Sequence, residues 1–179
     1  MNRKLTIVGV VGVVLAAALV VVAQQDKSKR PSPPAQATWD LGGGKVVTID
    51  YSSPRAKGRK VYGELVPFGQ VWRTGANEAT TLTAPVDLNI GAATVPAGKY
   101  TVFTIPNKDK WTLIISKKTG EWGTDYPGQS NDLARVDMKV SAAPSPVENF
   151  TISFEKGGAG ANLNIDWETT RASVPVSKK

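Results

Sequence analysis

Neither cysteine nor histidine occurs anywhere in the 179 residues. The first absence excludes disulfides and thiolate metal ligands; the second removes imidazole ligands and every nucleophile that relies on a histidine base. No cofactor is therefore expected, and any acid or base chemistry falls to carboxylates. The formal net charge of +7 is scattered. No run of Lys and Arg interleaved with aromatics tracks a nucleic-acid groove, so the charge reads as solvated surface and no nucleic acid is expected as a partner. Helical periodicity is missing too: nowhere do ten or more residues sustain a 3.6 repeat. The sequence holds one continuous apolar run.

That run lies at the N-terminus. Arg3 and Lys4 precede an uncharged stretch from Leu5 to Ala23, followed by abrupt polarity, which is the pattern of an export signal. Val21-Val22-Ala23 ends the stretch on a small residue and suits cleavage before Gln24. The stretch also approaches the roughly 20 residues that span a bilayer, so a single-pass anchor is the alternative reading of residues 5–23. Gly9 and Gly12 lower its hydrophobicity, and Lys27, Lys29 and Arg30 balance the basic residues on its other side, leaving orientation undecided. Either reading places the folded part outside the cytoplasmic membrane, periplasmic or secreted, with membrane contact only through this segment. Without Arg3 and Lys4 the net charge falls by two, to +5. The expected organisation is 1–23 signal peptide or anchor, 24–38 Pro-rich linker, 39–176 folded domain and 177–179 tail. The linker DKSKRPSPPAQAT reads as an extended, solvated tether.

From Trp39 onward the pattern is that of strands. Ala134, Val136, Met138 and Val140 alternate with Arg135, Asp137 and Lys139, as a half-buried strand requires. Phe150, Ile152 and Phe154 repeat the pattern, as do Ala161, Leu163, Ile165 and Trp167 against Asn162, Asn164 and Asp166. KGGAG at 156–160 reads as the hairpin loop between these two runs. Further strands are expected at 45–52, 79–83, 86–90, 99–105 and 111–116. Pro96 and Gly98 fit a β-turn, which predicts that 86–90 and 99–105 are close neighbours, and IPNKDKW makes the next hairpin. About seven or eight short strands with turn signals between them predict an all-β fold, an antiparallel β-sandwich of jelly-roll or Ig-like type with one long connection.

Three motif matches carry little. Ser153 and Lys156 fit S-x-x-K and Lys118-Thr119-Gly120 fits K-T-G, but residues three apart on a strand face opposite ways and the two motifs come in reverse order. Asp125 to Asp132 gathers carboxylates without calcium-loop spacing and reads as turn chemistry. Asn149-Phe150-Thr151 is a glycosylation sequon by pattern only.

The informative stretch is Tyr51 to Thr81, a connection longer than the roughly 12 to 15 residues beyond which loops in compact domains tend to be functional. It concentrates Arg55, Arg59, Glu64, Trp72, Arg73, Asn77 and Glu78. One reading folds it over an end or face of the sandwich, presenting Arg73 and Glu78 with Trp72 as an apolar wall. The other makes it a staple, with Trp72 in the core, Arg73 paired with Glu78 or Asp166, and Asn77 capping a turn.

GELVPFGQVWRTGANEATT, with YSSPRAKGRKVYG, PAGKYTVFTIP, EWGTDY and DWETTRASVPV, resembles the bacterial family catalogued as domain of unknown function 2911, over about Asp40 to Val176. The resemblance implies an exported β-rich protein and supplies no catalytic residues. Trp72, Arg73, Thr74, Gly75, Asn77 and Glu78 match a family hallmark, as do Arg59, Gly63, Trp122, Trp167 and Arg171.

The residues thus predict an exported binding module for a glycan, a small anion or another polar envelope component. Arg59, Trp72, Arg73, Asn77, Glu78, Trp122 and Arg171 are the candidate binding residues; Arg73 and Arg59 would hold the anion, and Trp72 or Trp122 would offer a stacking surface. Two alternatives remain: a hydrolase using Glu78 with Asp166 or Glu168, and a purely structural envelope protein.

Overall fold

The computed structural model describes residues 26–123 and 125–179. The export segment, read from the sequence as signal or anchor, lies outside the described residues. Among those described, no helix is long and apolar enough to cross a membrane.

The fold is all-β. Its strands are β1 (Pro34–Asp40), β2 (Val46–Ser52), β3 (Thr80–Ala84), β4 (Leu88–Ile90), β5 (Ala93–Val95), β6 (Gly98–Ile105), β7 (Lys110–Ser116), β8 (Asp132–Gly157) and β9 (Gly160–Lys178). They form one nine-stranded antiparallel sheet in the order β1-β2-β3-β6-β7-β8-β9-β4-β5. The alternation in 134–140 and 161–167 emerges as the two long strands β8 and β9, joined at Gly157 and Gly160 by the expected KGGAG hairpin.

Bulges between Ala142 and Val147 and between Val147 and Thr151 break the β8–β9 register. Such irregularities bend a strand and raise its twist, and the sheet curls accordingly. Trp39 of β1 stacks on Phe154 of β8 at 6.0 Å, and Tyr51 of β2 meets Phe150 edge-on at 5.6 Å. The Ile152 amide donates to the Tyr51 hydroxyl. The face so enclosed is the core, and β2 (Val47, Ile49), β7 (Trp111, Leu113, Ile115) and β9 (Leu163, Ile165, Trp167) all bury side chains in it.

Three expectations need correction. Residues 86–90 and 99–105 are not neighbours, because the short strand β5 intervenes and β4 pairs with β5 and β9 instead. A three-residue strand carries too little pattern to be read. The run 161–167 is more than half-buried: Asn164 and Asp166, on its polar face, are buried too. The 24–38 linker is not a tether throughout: Pro34 begins β1, with Ala35, Ala37 and Trp39 turned inward, and the Ser53 amide donates to the Pro33 carbonyl. Period-two alternation there outweighs the prolines, which sit before or at the strand's first residue where a missing amide costs no ladder bond.

The long connection between β2 and β3 is real. It buries Val61, Tyr62, Val66 and Trp72, closing one end of the core with an aromatic cluster. Trp72 stacks on Trp167 at 6.1 Å and meets Tyr62, Trp111 and Phe150 edge-on. Such pairs each contribute ~0.5–1.5 kcal/mol beyond area burial. On the opposite face of the sheet, Tyr126 from the β7–β8 loop covers Phe103 at 5.3 Å.

Candidate functional site

The segment after Trp72 is held in a backbone conformation that its residues rarely adopt. Thr74 lies at φ +57 and Asn77 at φ +56, with Gly75 between them at φ +152. A β-branched residue at positive φ is an outlier, and each such residue costs on the order of 1–3 kcal/mol. A dense set of hydrogen bonds offsets the strain. Trp72 exchanges both backbone bonds with Thr104, at 2.8 and 2.9 Å, and its indole N–H donates to the Gly75 carbonyl at 3.0 Å. The Thr74 hydroxyl lies 3.1 Å from that of Thr104, and the Thr80 hydroxyl donates to the Thr74 carbonyl at 2.6 Å. The Asn77 amide donates to the Ser32 carbonyl at 3.0 Å. Gly75 is required: a Cβ there would sit 2.9 Å from the Ser52 carbonyl oxygen.

This rigid loop aims Arg73 into a cavity of about 320 Å³, walled by Trp72, Trp167, Leu65, Val66, Val71 and Gln70, with Arg59 and Ser32 also on its lining. The volume falls at the lower end of ligand pockets. Arg73 is half-buried, and its Nε is buried without a hydrogen-bond partner. Burial pulls its pKa below the ordinary value, although a guanidinium stays charged at any physiological pH. No acidic residue lines the cavity. Arg59 is exposed, and its guanidinium is oriented by donation from Nε to the Ala56 carbonyl and from Nη2 to the Arg55 carbonyl. Buried polar atoms are nearly always satisfied, and of the five side chains that hold an unpartnered one among the described residues, Arg73 is the one that lines this cavity.

The other candidates go elsewhere. Arg73 pairs with neither Glu78 nor Asp166, contrary to the staple reading. Glu78 is taken by Arg30, at 3.0 Å, and by Lys27, at 2.9 Å. Partial burial pushes its carboxyl up, but hydrogen bonds from Lys27, its own backbone amide and Arg30 outweigh this and hold it at about 2. Asp166 is gripped by two nitrogens of Arg171, at 2.8 and 2.7 Å, and the same guanidinium binds Glu155 in bidentate fashion at 2.9 Å. The Asp166 hydrogen bond is the largest cause of a raised Arg171 pKa. Arg171 is thus spent on two carboxylates and is not free to hold a ligand. Glu168 accepts from the Val61 amide at 2.9 Å. Asn77 spends its side-chain amide on the strap of chain at Ser32.

Neither tryptophan offers a stacking platform in the cavity. Trp72 is only 9% exposed and belongs to the core cluster, showing the cavity one part of its surface. Trp122 is 57% exposed but lies on the β7–β8 loop, bridged to the Glu78 backbone and away from the cavity lining. The Asp125–Asp132 loop is turn chemistry: Asp132 accepts from Tyr126 and Arg135, each at 2.7 Å. Among the described residues no acidic group is arranged to hold a metal ion. The sequence reading missed Lys27, Arg30, Ser32, Leu65 and Gln70. Leu65 and Gln70 stood inside the stretch singled out, whereas Lys27 and Arg30 gave no signal, lying 51 and 48 residues from their partner in a segment read as linker.

No curated protein and no solved structure matches the chain. Residues 32–176 match the model of the family described as "Protein of unknown function (DUF2911)", and the chain belongs to that family.

Proposed function

We propose that this protein is an exported binding module. In this reading its curled sheet forms a two-layered β-sandwich, and the strained connection at one end of the core holds a small anionic ligand against Arg73. The observation that carries the reading is the half-buried guanidinium of Arg73, its Nε without an acceptor, lining a cavity that has no carboxylate. Isolated buried charge is costly, and an anion arriving at the open Nη groups would supply the missing countercharge. The hydrolase reading has little support. A carboxyl held at about 2 by two cations is a poor general acid, and Asp166 is occupied by Arg171. The glycan reading loses its platform with Trp72 in the core and Trp122 outside the cavity.

The test is thermal unfolding of the exported protein against a panel of small anions, since a ligand that binds only the folded state stabilises by RT ln(1 + [L]/Kd). The reading predicts a saturable rise in midpoint with at least one organic anion, and its loss in Arg73→Gln. Identical midpoints for every anion would leave the chain as a structural envelope protein. Export itself predicts Gln24 at the N-terminus by mass spectrometry of the exported material; the intact chain in washed membranes would establish the anchor instead.

A further inference from the structure

We infer that the Arg73 cavity takes an organic acid with one carboxylate on an apolar body; this rests on the binding reading above and narrows it. Three features of the site select that class. The first is the donor edge. The Arg73 Nε is enclosed and lacks an acceptor, so the open edge of the guanidinium is its pair of Nη groups, whose parallel N–H bonds form a planar fork that matches the two oxygens of a carboxylate. The second is charge. Arg73 and Arg59 line the cavity with no acidic residue among its walls, while Lys27 and Arg30 share Glu78, and Arg171 is held by Glu155 and Asp166.

The third is the rest of the lining. Leu65, Val66, Val71, Pro67, Trp72 and Trp167 present apolar surface to the cavity. Leu65 is 43% exposed, one of three large apolar side chains so left among the described residues. A compact inorganic anion would leave these walls in water. An apolar body covers them, and each methylene it buries tightens binding about fourfold.

The experiment is a titration of the exported protein followed by tryptophan fluorescence, since Trp72 and Trp167 both line the cavity. The probes are octanoate, N-acetyl-leucine, butanoate, octanamide and inorganic phosphate. Octanoate represents a free acyl chain and N-acetyl-leucine a peptide C-terminus. The inference expects one or both to saturate at least tenfold more tightly than butanoate, phosphate and octanamide, and the tighter of the two names the source. Arg73→Gln should abolish that response. Leu65→Ala, at an exposed position, should weaken octanoate several-fold while leaving the melting curve in place. Phosphate binding as tightly as octanoate would overturn the apolar-acid class yet keep the anion site. Octanamide binding as tightly as octanoate, or no saturable response to any anion, would overturn both.

Discussion

Arg30 donates from its Nη1 to both oxygens of Glu78, at 3.1 and 3.0 Å, and so ties the segment that precedes β1 to the strained loop behind the cavity. Lys27 adds a third bond to the same carboxylate. Because Glu78 is occupied in this way, Arg73 is left without an acidic partner five residues upstream. Ser32, between this strap and β1, forms part of the cavity wall.

The strap carries a pH signature. The Glu78 carboxyl falls from an ordinary 4.5 to about 2 in the folded protein. A folded value below the unfolded one means that the contribution is complete above about pH 4.5 and is lost as the pH falls toward 2. The side chain is 38% exposed, so solvent screening keeps the effect small. Melting curves of Glu78→Gln and the unsubstituted protein should therefore converge as the pH drops through that window. Acid limbs that run parallel from pH 5 to pH 2 would show that the strap does not contribute to stability.

Arg73→Ala tests whether the hallmark loop is a site or a staple. A paired, buried arginine would strand a carboxylate when removed and cost about 3–5 kcal/mol. Arg73 has no such partner, so its removal should change stability by less than about 1 kcal/mol. At this chain length that is roughly 2–4 °C in the unfolding midpoint, read by calorimetry. A fall of 10 °C or more would mean that the guanidinium is structural.

What the sequence made legible follows from how far apart the interacting residues lie. Alternation within 134–140 and 161–167 is local, and it located β8 and β9. The burial of Asp166 does not follow from alternation: the backbone turns at Glu168, at φ +50, and Arg171 folds back onto Asp166, so the polar face of a strand read as half-buried is enclosed as well. Phe103 and Ile114 are buried on the outer face for a similar reason, since the aperiodic β7–β8 loop lays Tyr126 over Phe103. The hallmark VWRTGANEAT stood out by composition, but nothing in it says that Glu78 turns to Lys27 and Arg30. That choice left Arg73 facing a cavity, and no spacing rule encodes it.

Arg171 is the residue that behaves as the staple. Its side chain is 17% exposed and that of Asp166 only 8%, so Arg171→Ala leaves a buried carboxylate without its cation. The expected loss is about 3–5 kcal/mol, a drop of roughly 6 to 20 °C. Replacing both partners, as Arg171→Met with Asp166→Leu, should recover most of it, because the uncompensated charge is then gone. A single variant that melts with the unsubstituted protein would show that water screens the pair.

Gly75 separates backbone strain from crowding. Gly75→Ala meets both: φ is +152, and the new Cβ would lie 2.9 Å from the Ser52 carbonyl oxygen and 3.3 Å from the Thr80 hydroxyl. Gly42→Ala meets the first alone, at φ +79 with nothing within 4 Å. An alanine forced to positive φ costs on the order of 1 kcal/mol, so Gly42→Ala should lower the midpoint by only a few degrees. The close approach to Ser52 cannot be relieved by a side-chain rotation, since the Ala76 amide is hydrogen-bonded to that same carbonyl. The loop must shift as a unit, taking the Thr74–Thr104 and Thr80–Thr74 bonds with it. Gly75→Ala should therefore cost at least twice as much as Gly42→Ala. It should also weaken anion binding, because Arg73 is aimed by the bonds that move, whereas Gly42→Ala should leave binding unchanged. Equal melting shifts for the two variants, with binding intact in both, would show that the loop tolerates displacement and that its strained geometry does not position Arg73.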